Sequence, residues 1–192
     1  FSQRDVTRTL YQAELKRPIL EAIARPAEKR LNWTQYRNIF LTPARISGGV
    51  DFWREHAEIL ARAEREYGVP PQIIVAILGV ETYYGQRMGS YRVVDSLATQ
   101  AFEFEPGSWR ARFGAQQLEQ LVLLSREQGV DPLTLVGSYA GAMGYGQFIP
   151  SSYRNYAVDF DASGRRDLWD SPMDIIGSVA NYFQRHGWEQ GV

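Results

Sequence analysis

The 192-residue chain contains no cysteine and only two histidines, His56 and His186. The first absence excludes disulfides, thiol nucleophiles and thiolate metal sites, without fixing the compartment. The second leaves too few imidazoles for a histidine metal cluster. Excess charge of one sign is also lacking: 21 basic residues face 22 acidic ones, a formal net charge of −1. No global field therefore draws in nucleic acid, which argues against base readout and against a nucleic-acid partner. Long hydrophobic runs are missing too. The longest, Ile73 to Val80, is too short to span a bilayer. No signal-like segment follows Phe1, so a leader or anchor is expected to have been removed or never included.

Aromatic residues are plentiful at 13%, with five tryptophans and eleven tyrosines. That supply suits a sugar-stacking groove, although core packing accounts for most aromatics in most proteins. The length allows one large domain or two small ones and a substantial core.

The hydrophobic pattern is helical, with no sustained two-residue alternation. Asp51 is placed to cap a helix carrying Phe52, His56, Leu60, Ala63 and Tyr67 and stopped by Gly68. Pro70 and Pro71 suit the start of the next helix. Its Ile73, Ile74, Ala76, Ile77, Leu78 and Val80 surround the axis, which predicts a buried central helix. Further helices are expected over Val93 to Phe104 and from about Ser108 to Gln128. A last helix has a capping-box start at Ser171, Pro172 and Asp174, carries Ile175, Ile176, Val179, Tyr182 and Phe183, and ends at Gly187. The first forty-odd residues, with Pro18, Pro26 and Pro43, read as short helices packed on this body.

Two stretches carry chemistry. In "LGVETYYG" the apolar run of residues 73–80 ends on Glu81. Desolvation and the negative end of a helix dipole both raise a carboxyl's pKa there, and a hydrogen bond to the neutral form would add to them. A carboxyl that holds its proton near neutrality is what a general acid for glycosidic cleavage needs. The plainer alternative is a glutamate that turns outward or pairs with an arginine. The second stretch, "GSYAGAMGYGQFIPSSY" at residues 137–153, interleaves Gly and Ala with Ser138, Tyr139, Tyr145, Gln147 and Phe148. Small residues permit close backbone approach, and the polar groups among them can line a cleft floor. Tight helix packing without a ligand is equally compatible with it.

Taken together, "GVETYYG", "GSYAGAMGYGQFIPSSY" and "NYFQRHGW" resemble the lytic transglycosylases of the membrane-bound lytic transglycosylase B type, glycoside hydrolase family 103. The resemblance covers nearly the whole chain and is strongest from about Asp51 to Trp188. It implies a mainly α, lysozyme-like helical core with an additional helical region. On this view residues 1–50 form an amino-terminal helical region packed on a catalytic core at 51–192. It implies a periplasmic setting, soluble or anchored to the outer membrane by lipid, with peptidoglycan glycan strands as substrate and cell-wall synthesis or remodelling enzymes as candidate partners. The family's catalytic acid falls on Glu81. Its groove-lining serine and glutamine fall on Ser138 and Gln147, and a sugar-contacting tyrosine on Tyr182. A tyrosine of the amino-terminal region matches Tyr36, and an arginine of the fourth helix matches Arg110. Members of the resembled family usually continue well past Val192, so the chain is expected to be incomplete at its C-terminal end.

"DFDASGRRDLWD", residues 159–170, has the spacing of a twelve-residue EF-hand loop. Asp159, Asp161, Ser163, Asp167 and Asp170 occupy positions one, three, five, nine and twelve. Arg165 offers its carbonyl at position seven, and Gly164 the turn at position six. Asp170 is shorter than the usual glutamate, Arg166 replaces the apolar residue of paired loops, and no second loop exists. A single structural calcium ion, outside the chemistry, is the expectation, and the resembled family carries one calcium loop at this place.

A glycosidase ordinarily uses two carboxylates. Asp95, Glu103 and Glu105 are the candidates for a partner, yet none sits in a distinctive motif, and capping is a sufficient role for Asp95. The resemblance removes the need for one: Glu81 acts as acid and then as base, and a 1,6-anhydro product forms. A lysozyme-type hydrolase and a non-catalytic peptidoglycan- or calcium-binding module are the competing readings.

Overall fold

The computed structural model describes residues 3–25 and 31–189. In chain order its helices begin with α1 (Gln3–Tyr11), α2 (Arg17–Ala24), α3 (Trp33–Phe40), α4 (Pro43–Glu55), α5 (Ala57–Tyr67) and α6 (Pro71–Thr82). Strand β1 (Tyr91–Arg92) precedes α7 (Val93–Glu103) and α8 (Trp109–Gln128). Strand β2 (Val136–Gly137) precedes α9 (Pro150–Tyr156) and α10 (Pro172–Arg185). The protein is mainly α, as its pattern predicts. Pro26 lies outside the described residues.

Two compact units interleave along the chain. The first comprises residues 1–29, 89–143 and 147–154, and the second residues 30–88, 144–146 and 155–192. Residue 50, the boundary drawn from the sequence, lies within α4.

The first unit is built on α7 and α8, with α2 against α7. Val93, Val94, Leu97 and Ala98 of α7 and Leu118, Leu121 and Leu124 of α8 are buried. The two helices approach closely at Gly114, where a Cβ would press on the Ala101 backbone at 2.5 Å. Helix α8 starts where Ser108 accepts the Ala111 N–H and stops at Gly129 in the left-handed conformation, close to the predicted bounds. Strands β1 and β2 pair antiparallel, Tyr91 opposite Gly137 and Arg92 opposite Val136. Asp95 is buried in the first turn of α7; Arg92 Nε and Nη2 donate to its two oxygens at 2.8 Å each, and the Glu14 N–H adds a third bond at 2.9 Å. It is a buried ion-pair centre rather than the helix cap expected from its position.

In the second unit α6 packs against α4, α5 and α10. The helix expected to start at Asp51 is two helices. The first begins earlier, where Thr42 accepts the Arg45 N–H and Pro43 supplies a preset φ, so Asp51 is internal to α4. The break is at His56 (φ −114°, ψ 23°), whose ring meets Phe52 edge-on at 4.5 Å. Gly68 ends α5 in the left-handed conformation, and α6 starts at Pro71, both as expected. Helix α6 buries Ile74, Val75, Leu78, Gly79 and Thr82 but leaves Val80 42% exposed, so it is central along one face rather than enclosed. Ser171 caps α10 by accepting the Asp174 N–H. The Asp174 carboxylate does not complete a capping box, because it is bonded within residues 159–170. Among the described residues, no helix is long and apolar enough to cross a membrane.

Candidate active site

Glu81 is the last residue but one of α6. Its own side chain is exposed, yet the atoms packed around its carboxyl remove enough water to raise its pKa above the ordinary carboxylate value. Desolvation is the cause. No basic residue occupies the last turn of α6, and no hydrogen bond or ion pair to another described residue holds the carboxyl. The partial negative charge at a helix C-terminus acts in the same direction. Neither an arginine partner nor the anticipated hydrogen bond to the neutral form is present among the described residues.

The end of α6 is tightly specified. Thr82 is 1% exposed; its hydroxyl donates to the Tyr145 carbonyl at 2.9 Å and accepts the Gly85 N–H at 3.0 Å. Tyr83 and Tyr84 follow with positive φ, 53° and 54°. Each such residue with a side chain costs on the order of 1–3 kcal/mol and persists only where its surroundings hold it. Tyr145 in turn is fixed by its N–H bond to the Leu168 carbonyl at 3.0 Å. Residues 144–146 therefore belong with the second unit although their neighbours belong to the first.

The other expected site residues divide between the units. In the second, Tyr182 on α10 stacks on His186 at 4.0 Å and meets Tyr156 edge-on at 5.2 Å. Tyr36 on α3 meets Phe40 at 5.2 Å, and the Arg45 guanidinium lies 5.3 Å from the Phe40 ring and 5.0 Å from that of Tyr83. An aromatic and cationic ladder thus joins Tyr36 to the turn that follows Glu81. Sequence reasoning missed Arg45, Tyr83 and Tyr84; the paired tyrosines directly after the glutamate were the available signal.

In the first unit, Ser138 Oγ accepts the N–H groups of Ala140 at 3.3 Å and Ala142 at 3.2 Å, which leaves its O–H to donate. The Ser138 carbonyl accepts the Ser96 hydroxyl at 3.1 Å. Gln147 is half-buried with φ 51°. It lies inside a bridge in which Met143 and Phe148 exchange both N–H···O bonds at 2.9 Å. The small-residue segment is therefore a bonded sequence of turns that also packs closely on α7, where a Cβ at Gly141 would meet the Leu97 side chain at 2.5 Å. Arg110, in the first turn of α8, lies 5.5 Å from the Trp109 ring and 5.8 Å from that of Phe104.

The acidic loop is organised by its own backbone. Asp159 accepts the N–H groups of Ser163 at 2.9 Å and Gly164 at 2.8 Å, and Asp161 accepts the Ser163 N–H at 3.0 Å and the Ser171 hydroxyl at 3.0 Å. Those two hydroxyl-bearing partners hold the Asp161 carboxyl below the ordinary range. Asp167 accepts from Trp169 and Asp170 at 2.9 Å each. A further acid lies beneath. Asp174 is fully buried and accepts the N–H groups of Phe160 and Asp167 at 2.7 Å each, and burial raises its pKa against those bonds. Oxygens of Asp159, Asp161 and Asp174 lie within 4.8 Å of one another. That hard, oxygen-only donor set fits calcium. Asp167 and Asp170 stand outside this triad, and Asp174, outside the twelve-residue spacing, stands within it.

A family profile described as Transglycosylase SLT domain matches residues 1–192. The chain belongs to that family. It is 52% identical over 159 residues to Membrane-bound lytic murein transglycosylase B of Escherichia coli (strain K12), covering 83% of this chain and 43% of that protein. Its structure matches soluble lytic transglycosylase SltB1 of Pseudomonas aeruginosa with a TM-score of 0.93 at 55% identity, over all of this chain and 64% of the other. It matches Escherichia coli lytic transglycosylase Slt35, solved in complex with calcium, with a TM-score of 0.89 at 46% identity, over all of this chain and 60% of the other. The lysozyme-like helical fold expected of an SLT-domain protein is thereby established. The chain spans less than two thirds of the length of each of these relatives.

Proposed function

We propose that the protein is a peptidoglycan lytic transglycosylase that cleaves the β-1,4 bond from N-acetylmuramic acid to N-acetylglucosamine, with Glu81 as acid and then base. The carrying observation is the Glu81 carboxyl itself: raised by desolvation, free of any partner among the described residues, and set at a rigid helix end. Membership of the SLT-domain family supports the same reading.

In this mechanism Glu81 gives its proton to the bridging oxygen as the bond to muramoyl C1 breaks. The substrate's own N-acetyl group stabilises the oxocarbenium-like centre, so no second carboxylate is required. The Glu81 carboxylate then takes the proton of the muramoyl C6 hydroxyl, whose oxygen attacks C1 and closes the 1,6-anhydro ring. No water is consumed, and Glu81 regains its proton. Contacts to the glycan are assigned to Tyr36 and Tyr182 in the second unit and to Arg110, Ser138 and Gln147 in the first. The fixed role of Asp95 in its ion pair with Arg92 supports a single-carboxylate scheme.

Calcium is assigned to the loop at residues 159–170 as a structural ion, with Asp159 and Asp161 as ligands above Asp174 and with Ser163, Arg165, Asp167 and Asp170 offering the further oxygens that the loop spacing implies. Its ligation of Asp159 and Asp161 would steady the start of α10, on which Tyr182 stands. A periplasmic location follows from the substrate. Glu81→Gln tests the assignment: it keeps size and polarity but has no transferable proton, and a loss of about 10²–10⁴-fold in turnover is expected. A folded variant that turns over peptidoglycan normally would overturn it.

A further inference from the structure

Two successive residues of positive φ, Tyr83 and Tyr84, follow directly on Glu81 and Thr82. Residues with a Cβ avoid this region because the Cβ crowds the next carbonyl, so a side-chain contact must hold the pair in place. The Tyr84 ring makes that contact. It lies in a slot between α4 and α6 that exists only because Gly48, Gly49 and Gly79 lack side chains. A Cβ at Gly48 would press on the ring at 3.3 Å, and one at Gly49 or Gly79 would collide with the Tyr84 hydroxyl. Phe52 stacks on the ring with centroids 5.6 Å apart and planes 27° apart. The hydroxyl donates to the Arg45 carbonyl at 3.2 Å. The Tyr84 N–H meanwhile bonds to the Leu78 carbonyl at 3.1 Å, so one residue both closes the helix and anchors the chain leaving it.

We propose that Tyr84 is a positioning residue for Glu81: its ring, keyed into the glycine slot, fixes the end of α6 and so the direction from which the carboxyl reaches the glycosidic oxygen. The inference rests on Glu81 being the acid. A general acid works only within hydrogen-bond reach of the atom it protonates, and Glu81 has no partner among the described residues to hold its carboxyl. The backbone that carries it must therefore supply the placement.

The test is steady-state kinetics on peptidoglycan well below the melting temperature of each variant, beside Glu81→Gln. Tyr84→Ala empties the slot, and Gly79→Ala pushes the ring out without touching Tyr84. Both are expected to lower kcat by about 10²-fold with KM within about threefold, since a displacement near 1 Å has effects of that size. Gly49→Ala, whose new Cβ meets chiefly the Tyr84 hydroxyl, should lower kcat likewise, and Tyr84→Phe added to it should restore about tenfold of that loss. If Tyr84→Ala fails to fold, Gly79→Ala and the Gly49→Ala pair decide. Unchanged kcat per folded molecule, or a loss confined to KM, overturns the proposal while an inactive Glu81→Gln leaves the acid in place. An active Glu81→Gln removes the acid from Glu81 and the positioning role with it.

Discussion

The Thr82 hydroxyl joins the end of α6 to the Tyr145 carbonyl at 2.9 Å, and so ties the turn after Glu81 to residues 144–146 within the second unit. Thr82→Val keeps the shape and removes this bond together with the one from the Gly85 N–H. Buried polar groups left unpaired cost about 1–3 kcal/mol each. Urea unfolding should show a destabilisation of that size, and an unchanged midpoint would contradict the structural weight given to this contact.

What the sequence made legible was local. Gly68, Pro71, Ser108 and Ser171 start and stop helices through chemistry that acts within a few residues, and their positions are read correctly. The break at His56 was hidden because Phe52, His56 and Leu60 keep helical spacing straight through it. Strands β1 and β2 have two residues each and exist only by pairing with each other, so no local pattern announces them. Glu81 stood out through its polarity against an apolar run. The slot of Tyr84 did not, since it needs three glycines on two helices. Asp174 was read as a capping residue because its bonds to the acidic loop reach back as far as Phe160.

Glu81 should give the wild type a pH-dependent loss of stability that Glu81→Gln lacks. Its folded pKa is raised by desolvation, so the folded state holds the proton longer than the unfolded chain. Below the ordinary value of 4.5 both states are protonated and the wild type loses nothing. As pH rises from there through the raised folded pKa, the wild type loses stability that the glutamine variant keeps. Melting temperatures across this range should therefore diverge in favour of Glu81→Gln, and parallel curves would remove the desolvated carboxyl from the account.

Asp95→Asn should separate structure from chemistry. Asp95 is 2% exposed and carries the paired bonds from Arg92. Weakening hydrogen bonds to a charged partner of this kind costs about 1.5–3 kcal/mol. The variant should melt earlier yet retain most turnover per folded molecule. A large fall in kcat with intact stability would instead make Asp95 a second catalytic carboxylate.

Asp159 and Asp174 should respond differently to calcium. A ligand that binds only the folded state stabilises it by about 2.7 kcal/mol at a hundredfold excess over Kd. Calcium should raise the melting temperature of the wild type, and Asp159→Ala should lose that rise while keeping turnover in the cold. Asp174→Ala strips buried backbone N–H groups of their acceptor and should destabilise by about 1–3 kcal/mol even in chelator. If chelator leaves the wild-type melting curve unmoved and calorimetry detects no binding, the loop is polar scaffolding without an ion.

The chemistry assigned to Glu81 is tested most directly by the ends it leaves on glycan strands. Purified peptidoglycan is digested with the protein, and the muropeptides are resolved by mass spectrometry from the first minutes onward. The account predicts 1,6-anhydromuramoyl ends, each one water lighter than a reducing end, and their absence from a digest with Glu81→Gln. Reducing muramic acid dominating from the earliest time point would contradict it, because Glu81 would then be activating water rather than the muramoyl C6 hydroxyl.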